Sequence, residues 1–326
     1  MNYEVKNSAS AGIISGLQKR IFVLGLLAAV PMTIAACFGQ AGWLFELCSH
    51  FRIQFLIVNI LLLLLALFKK RFVIAVIAAF SACVNFVEVF NTDSGGFVVS
   101  PNVGPSIRAL LFNLNSTNYR LDAVREFIKD SNPDVIVILE LSETAIRILA
   151  LQDLGYLYSV EKKFRDDKFG IGLYSKHKVL DSKIMTFGGL VPSIVATIDF
   201  DANPTMIVGS HPLPPISPKY YQARNRQLQE LGSFIASQDI LSKIVMMDMN
   251  TTPWSFVFDD FKTASGLRDS RNGFGIQSTW PTWIPLLWIP IDHVFVSESV
   301  KVVSRSVGPF LGSDHYPVIV DLIVEK

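Results

Sequence analysis

The sequence is poor in charge and in cysteine. Only 17% of its 326 residues are charged, against about a quarter in ordinary soluble domains. Net charge is +1, so the chain lacks the strong basic excess that marks a non-specific nucleic-acid binder. Its three cysteines, Cys37, Cys48 and Cys83, all lie in the first third. The remainder therefore holds no disulfide framework and no thiolate zinc site, a composition that fits an oxidising compartment. Internal repeats and low-complexity tracts are absent as well.

What is abundant is apolar. Half the residues are hydrophobic and mean hydropathy is +0.39. The excess lies before residue 91, in three runs at 21–38, 52–68 and 72–90. Each approaches the roughly 20 residues that a bilayer core requires. The stretch Leu61 to Leu65 has no polar face, unlike an ordinary surface helix. Three transmembrane helices are expected. Lys19 and Arg20 precede the first run, and Lys69, Lys70 and Arg71 separate the second from the third. The intervening segment 39–50 has neither lysine nor arginine. The positive-inside rule then makes this a multi-pass protein of the cytoplasmic (inner) membrane. Everything after Phe90 is expected on the extracytoplasmic, periplasmic side. Lys19 and Arg20 also look like the start of a signal peptide, but two more runs follow and no small-x-small cleavage site stands out. Asn85 and Glu88 are expected at the outer interface.

Residues 91–105 contain Gly95, Gly96, Pro101, Gly104 and Pro105, a linker composition. From 106 to 326 the chain reads as a second domain. Short β-branched runs predict strands at 107–114, 135–139, 171–174, 193–200, 206–209, 244–247, 294–296 and 318–323. Leu121, Val124, Phe127 and Ile128 fall at helical spacing, and a second helix is predicted over 220–237. Strands outnumber helices and some follow one another directly. That pattern predicts an α/β or α+β sandwich rather than a doubly wound sheet.

Polar groups cluster where these strands begin or end. Asn113 ends the first strand and Glu140 the second; Ser210-His211-Pro212 and Asp248-Met249-Asn250 follow later ones. Asp292 starts a strand, and Asp314-His315 precedes the last. Each alone has a bland explanation, such as a cap, a turn or a satisfied structural histidine. Together they are hard to explain by packing, because strand ends in layered folds converge on one edge. The chemistry suits phosphoester hydrolysis. Hard oxygen ligands such as Glu140 and Asp314 favour Mg²⁺ or Mn²⁺ over zinc. Asp248 is the candidate to orient or deprotonate water. Asn113 and Asn250 can hold phosphate oxygens or the water. His315 oriented by Asp292 can bind the phosphate or stabilise the transition state.

In order along the chain, Phe112-Asn113-Leu114, Pro133 to Glu140, Ser210-His211-Pro212, Met247 to Asn250, Ile291 to Val294 and Ser313 to Pro317 resemble the motifs of the endonuclease/exonuclease/phosphatase superfamily. Leu139, Met247 and Met249 depart from the usual residues but flank acids that are kept. The resemblance implies a four-layered sandwich with two central mixed sheets, and a metal at Glu140 and Asp314. It also implies catalytic roles for Asp248, Asn250, Asn113, His211 and the Asp292–His315 pair.

A narrower resemblance is to membrane-anchored VanJ-like (teicoplanin-resistance) proteins. It rests on the three runs and on Ser278-Thr279-Trp280-Pro281, Pro285-Leu286-Leu287 and Ile291-Asp292-His293. It implies the lipid bilayer as partner and a phosphorylated substrate such as undecaprenyl phosphate or pyrophosphate. Trp280, Trp283 and Trp288 lie among Ile284, Leu286, Leu287 and Ile289; at least one tryptophan is expected in the core, others at a bilayer surface. Two other functions compete. One is a membrane-tethered nuclease, which the near-neutral charge disfavours; the other is an inactive binding or scaffold domain.

Overall fold

The computed structural model describes residues 20, 28–91, 106–163 and 168–324. The chain divides into two compact units, Met1–Thr92 and Asp93–Lys326.

The first unit is helical: α1 (Ala28–Cys37), α2 (Trp43–Ser49), α3 (Arg52–Phe68) and α4 (Phe72–Asn91). Among the described residues, one helix is long and apolar enough by itself to cross a membrane: Phe72–Phe90, 19 residues with mean hydropathy 2.2. Three spans are therefore not established. α3 has only 17 residues, about 26 Å at 1.5 Å each and short of a bilayer core. It reaches spanning length only together with α2, across a 67° bend. The first predicted run begins at 21–27, outside the described residues, and α1 is a short apolar helix. The predicted linker 91–105 lies almost wholly outside them too. Asn85, expected at an interface, is instead buried among the helices. Its amide nitrogen donates to Thr33 Oγ1 at 2.8 Å and its oxygen accepts from Arg52 at 3.5 Å. Buried polar groups are costly unless hydrogen-bonded, so this set ties α1, α3 and α4 together.

The second unit contains two six-stranded mixed sheets. The first is built from β1 (Ser106–Asn113), β2 (Val135–Leu139), β3 (Tyr158–Lys162), β4 (Ile171–Ser175), β11 (Val300–Val307) and β12 (Val318–Val324). Their order is β11-β12-β1-β2-β4-β3. The second holds β5 (Val179–Met185), β6 (Ser193–Phe200), β7 (Asn203–Ser210), β8 (Ser242–Asp248), β9 (Arg268–Asp269) and β10 (Asp292–Val296), ordered β5-β6-β7-β8-β10-β9. Each sheet has one parallel pair at its centre, β1 with β2 and β7 with β8; all other pairs are antiparallel.

Alternation along the strands sorts their side chains. Ala109, Leu111, Val135 and Val137 join Ile194, Ile207, Met246 and Val294 in one core shared by both sheets. Leu110, Phe112, Ile136 and Ile138 face the other way, onto α5 (Leu121–Ser131) and α6 (Glu143–Leu149). Val208, Val245 and Met247 of the second sheet pack under α7 (Pro218–Ala236) and α8 (Phe256–Ser265). The order of layers is helix, sheet, sheet, helix. With both faces covered, the central strands read as unbroken apolar runs rather than as alternating ones. Local signals set the helix ends: Ser217 Oγ accepts from Tyr220 N and Pro218 opens α7. Asn132, in a left-handed conformation before Pro133, closes α5.

Candidate active site

The parallel pairs decide where the polar residues go. β1 and β2 run the same way, with Asn113 opposite Leu139. Asn113 and Glu140 therefore leave the first sheet at one edge. β7 and β8 do the same in the second sheet, where Ser210 is opposite Met247, bringing out His211 and Asp248. Antiparallel β10 begins with Asp292 opposite Asp248. Antiparallel β12 starts beside the end of β1, with Val318 opposite Leu111, so the preceding loop delivers Asp314 and His315.

Asn113 joins the two sheets. Its amide nitrogen donates to Asp248 Oδ2 at 3.1 Å and to Glu140 Oε1 at 3.3 Å. Asp248 Oδ2 also faces His211 Nε2 at 3.4 Å and His315 Nε2 at 3.6 Å, while Asp248 Oδ1 accepts from the Asn250 backbone at 3.0 Å. His315 Nδ1 lies 2.9 Å from Asp292 Oδ2. Asn113, His211, Asp248, Asp292 and His315 are all buried; Glu140 and Asp314 are half-buried. Asn250 turns its side chain aside, donating to the Pro212 carbonyl at 3.0 Å.

Burial opposes every charge here; close partners overcome it at Asp248, His315 and His211 but not at Asp292, whose carboxyl burial pushes up. For Asp248, burial acts upward, but the two histidines and the Asn250 N–H outweigh it and hold the carboxyl at about 2. Burial disfavours charge on His315, yet Asp292 and Asp248 push it up to about 10. The ring then carries both protons and donates from Nδ1 to Asp292. His211 is likewise raised: Asp248 and Glu140 outweigh desolvation.

Backbone strain marks the same edge. Glu140, Asn115 and Asn250 have φ of 54°, 58° and 52°. Asparagine tolerates this region, whereas glutamate seldom enters it. Gly170 permits the turn after Glu140, because a Cβ there would lie 2.1 Å from the Leu141 carbonyl oxygen. The departures from the motif have packing reasons. Leu139 belongs to the core between the sheets, and Met247 and Met249 belong to the core under α7 and α8.

Asp314 brings in residues that sequence reasoning did not assign. Its Oδ1 accepts from Asn115 Nδ2 at 2.7 Å and its Oδ2 from Trp280 Nε1 at 3.1 Å. The only signal for Asn115 was its place two residues after Asn113; Trp280 stood out in the Thr-Trp-Pro segment, but nothing local paired it with Asp314, 34 positions away. Thr279 Oγ1 accepts from the Ile291 and Asp292 backbones at 3.3 Å each. Ser313 Oγ donates to the Asn113 carbonyl at 2.7 Å.

The residues fit a divalent cation. Glu140 accepts only from neutral donors, Asn113 and the Ser116 backbone; Asp314 does likewise from Asn115 and Trp280. Among the described residues neither has a lysine or arginine partner, so two hard carboxylates stand beside one turn, 113–116, with only His211 and His315 as nearby basic groups. Asp248, Asp292 and His315 also bring ligand atoms within 4.8 Å of one another. Those atoms are already engaged in the Asp292–His315–Asp248 contacts, so we read that group as a proton-holding relay.

Residues 110–315, more than half of the chain, match the Endonuclease/Exonuclease/phosphatase family. The chain belongs to that family. It is a hydrolase acting on phosphoester bonds. Among solved structures it is similar to a humanized D. rerio TDP2, with 18% identity and a TM-score of 0.56, covering 67% of this chain and 99% of that one. It is also similar to the endonuclease/exonuclease/phosphatase from Bacteroides vulgatus, with 21% identity and a TM-score of 0.57, covering 68% and 100%. The human Nocturnin catalytic domain with bound sulfate anion matches at 18% identity and a TM-score of 0.55, covering 68% and 94%. At these identities the likenesses establish the fold. No curated protein matches the chain.

Proposed function

We propose that this enzyme is a divalent-metal-dependent phosphatase or pyrophosphatase acting on a membrane-associated phosphoester outside the cytoplasmic membrane. The observation that carries the reading is the connected set Glu140–Asn113–Asp248–His315–Asp292, in which both sheets end on one polar edge.

Glu140 and Asp314 would hold Mg²⁺ or Mn²⁺. Bound there, the ion supplies a Lewis acid that polarises a phosphate oxygen and offsets developing negative charge. Asp248, its carboxyl held at about 2 and so ionised at neutral pH, is a weak base. It acts by orienting the attacking water between His211 and itself. His315, kept protonated and aligned by Asp292, donates to a phosphate oxygen as charge builds. Asn113 fixes the spacing of Glu140 and Asp248 and with His211 faces the phosphate, while Asn250 holds Asp248 through its backbone N–H.

The membrane setting is supported by the apolar helix Phe72–Phe90 and by the basic residues at 19–20 and 69–71. Likeness of the 278–293 segment to VanJ-like proteins favours undecaprenyl phosphate or pyrophosphate as substrate. A nuclease is the second reading, favoured by the similarity to D. rerio TDP2 complexed with single strand DNA product.

The test is phosphate release by the full-length protein in detergent from undecaprenyl pyrophosphate, with Mg²⁺ or Mn²⁺, and with plasmid DNA in parallel. EDTA and Glu140→Gln serve as controls. Metal-dependent release that is lost in the variant is expected. DNA cleavage without lipid turnover would overturn the phosphatase reading in favour of the nuclease.

A further inference from the structure

Residues 283–288 are six consecutive exposed positions, and every one is apolar: Trp283, Ile284, Pro285, Leu286, Leu287 and Trp288. Trp283 is 70% exposed and Leu286 83%. No charged residue occurs between Thr279 and Ile291. Scattered exposed apolar residues are ordinary, but a contiguous patch points to an interaction surface.

The segment is a closed hairpin. At its base Trp280 and Ile289 form a bridge, with Ile289 N donating to Trp280 O at 2.7 Å and Trp280 N to Ile289 O at 3.1 Å. A 3-10 turn over Pro285–Leu287 closes the tip. Thr282 pins one arm to the loop carrying Asp314 and His315: its N–H donates to Asp314 O at 2.9 Å and its hydroxyl to Ser313 O at 2.8 Å. Trp288 stands edge-on to Tyr316, centroids 6.0 Å apart. Trp280, half-buried at the base, bonds Asp314. The expectation of one core tryptophan is thus met only partway, and the apolar tip is held outward by hydrogen bonds at its root.

The composition selects the occupant. Tryptophan with leucine and isoleucine, free of charge, is what the boundary between headgroups and acyl chains favours. A bilayer would also stay within reach: the chain from Phe90 to Ser106 spans at most roughly 55 Å fully extended. We infer that the hairpin tip at 283–288 inserts into the bilayer interface, docking the domain with the edge bearing Asp314 and His315 beside the headgroups. The docking rests on the hairpin and on the proposed membrane setting of the helix Phe72–Phe90; its use in presenting a lipid phosphoester rests on the proposed function.

Full-length protein in vesicles of phosphatidylethanolamine and phosphatidylglycerol with brominated acyl chains provides the test. Quenching of tryptophan emission is compared between the parent, Trp283→Phe and Trp254→Phe. The chain has five tryptophans. Trp283→Phe, which keeps the tip apolar, is expected to lower the quenchable amplitude by about a fifth or more. Trp254→Phe removes a buried reporter and should leave it unchanged. An unchanged amplitude in Trp283→Phe overturns the inference, as does a disulfide-linked dimer formed through Leu286→Cys, which would make a second copy the occupant. Neither readout depends on turnover, so failure of the phosphatase reading remains separate. If lipid is hydrolysed, Leu286→Asp should raise KM for vesicle-presented substrate at least tenfold and leave a water-soluble phosphoester unaffected.

Discussion

The imidazole Nδ1 of His315 sits 2.9 Å from Asp292 Oδ2, and both side chains are buried. The carboxylate fixes the ring's orientation and keeps its proton. Asp292→Asn preserves shape but removes the charge. His315 should then fall from about 10 toward the ordinary histidine value, and turnover at neutral pH should drop by roughly 10²- to 10⁴-fold. The pH profile of kcat/KM and the NMR titration of His315 check this. An unchanged profile would remove Asp292 from the mechanism.

Glu140 has only neutral hydrogen-bond partners, from Asn113 and Ser116. Glu140→Gln keeps the size and loses the anion. Activity should fall at least a hundredfold. Mn²⁺ affinity, read by calorimetry or paramagnetic resonance without substrate, should weaken by tenfold or more. Stability should change by less than about 1 kcal/mol, because no ion pair is broken.

His293 follows Asp292 but faces away from the site. It is fully buried, its Nε2 is 3.0 Å from the Thr251 carbonyl, and its ring packs on Phe258 and Phe295. Burial pushes its pKa down to about 4. A folded-state pKa below the unfolded one, for a base, means that the unfolded chain binds the proton first. The stabilisation is full above about 6.5 and is lost as pH falls toward 4, at up to ~1.4 kcal/mol per pH unit. Urea denaturation from pH 7 to 4, compared with His293→Gln, should show a slope reduced by about one proton in the variant.

Gly170 accepts a hydrogen bond from Leu141 N at 3.0 Å across a gap that no side chain can share. Gly170→Ala should cost ~2–4 kcal/mol of stability. It should also lower activity more than the stability loss explains, because the turn it distorts carries Glu140. Thermal melts alongside kinetics at a temperature where both proteins are folded separate the two effects.

The central strands could be read directly. β2 is observed at the predicted 135–139, buried and apolar at every position, and β6 at 193–200, where burial alternates over most of its length. The edge strands could not. β5 is mostly exposed and β3 is never fully buried, so neither shows a clear period; β9 has only two residues. α6 and α8 are short and were hidden between stronger signals.

From sequence alone came the sandwich class, the apolar N-terminal third, and eight polar site residues whose types already implied hard-metal and phosphate chemistry. Those features are local: a residue's chemistry and its neighbours' period are written along the chain. Tertiary structure alone decided which side chains touch. Asn113 bridges Glu140 to Asp248 only because two parallel pairs end on one edge. Trp280 meets Asp314, 34 residues on, only because a hairpin bends back. α3, with 17 residues, falls short of a full span, and the 67° bend keeps α2 from extending it straight. Such contacts depend on strand register and loop closure over long separations, and no local pattern encodes them.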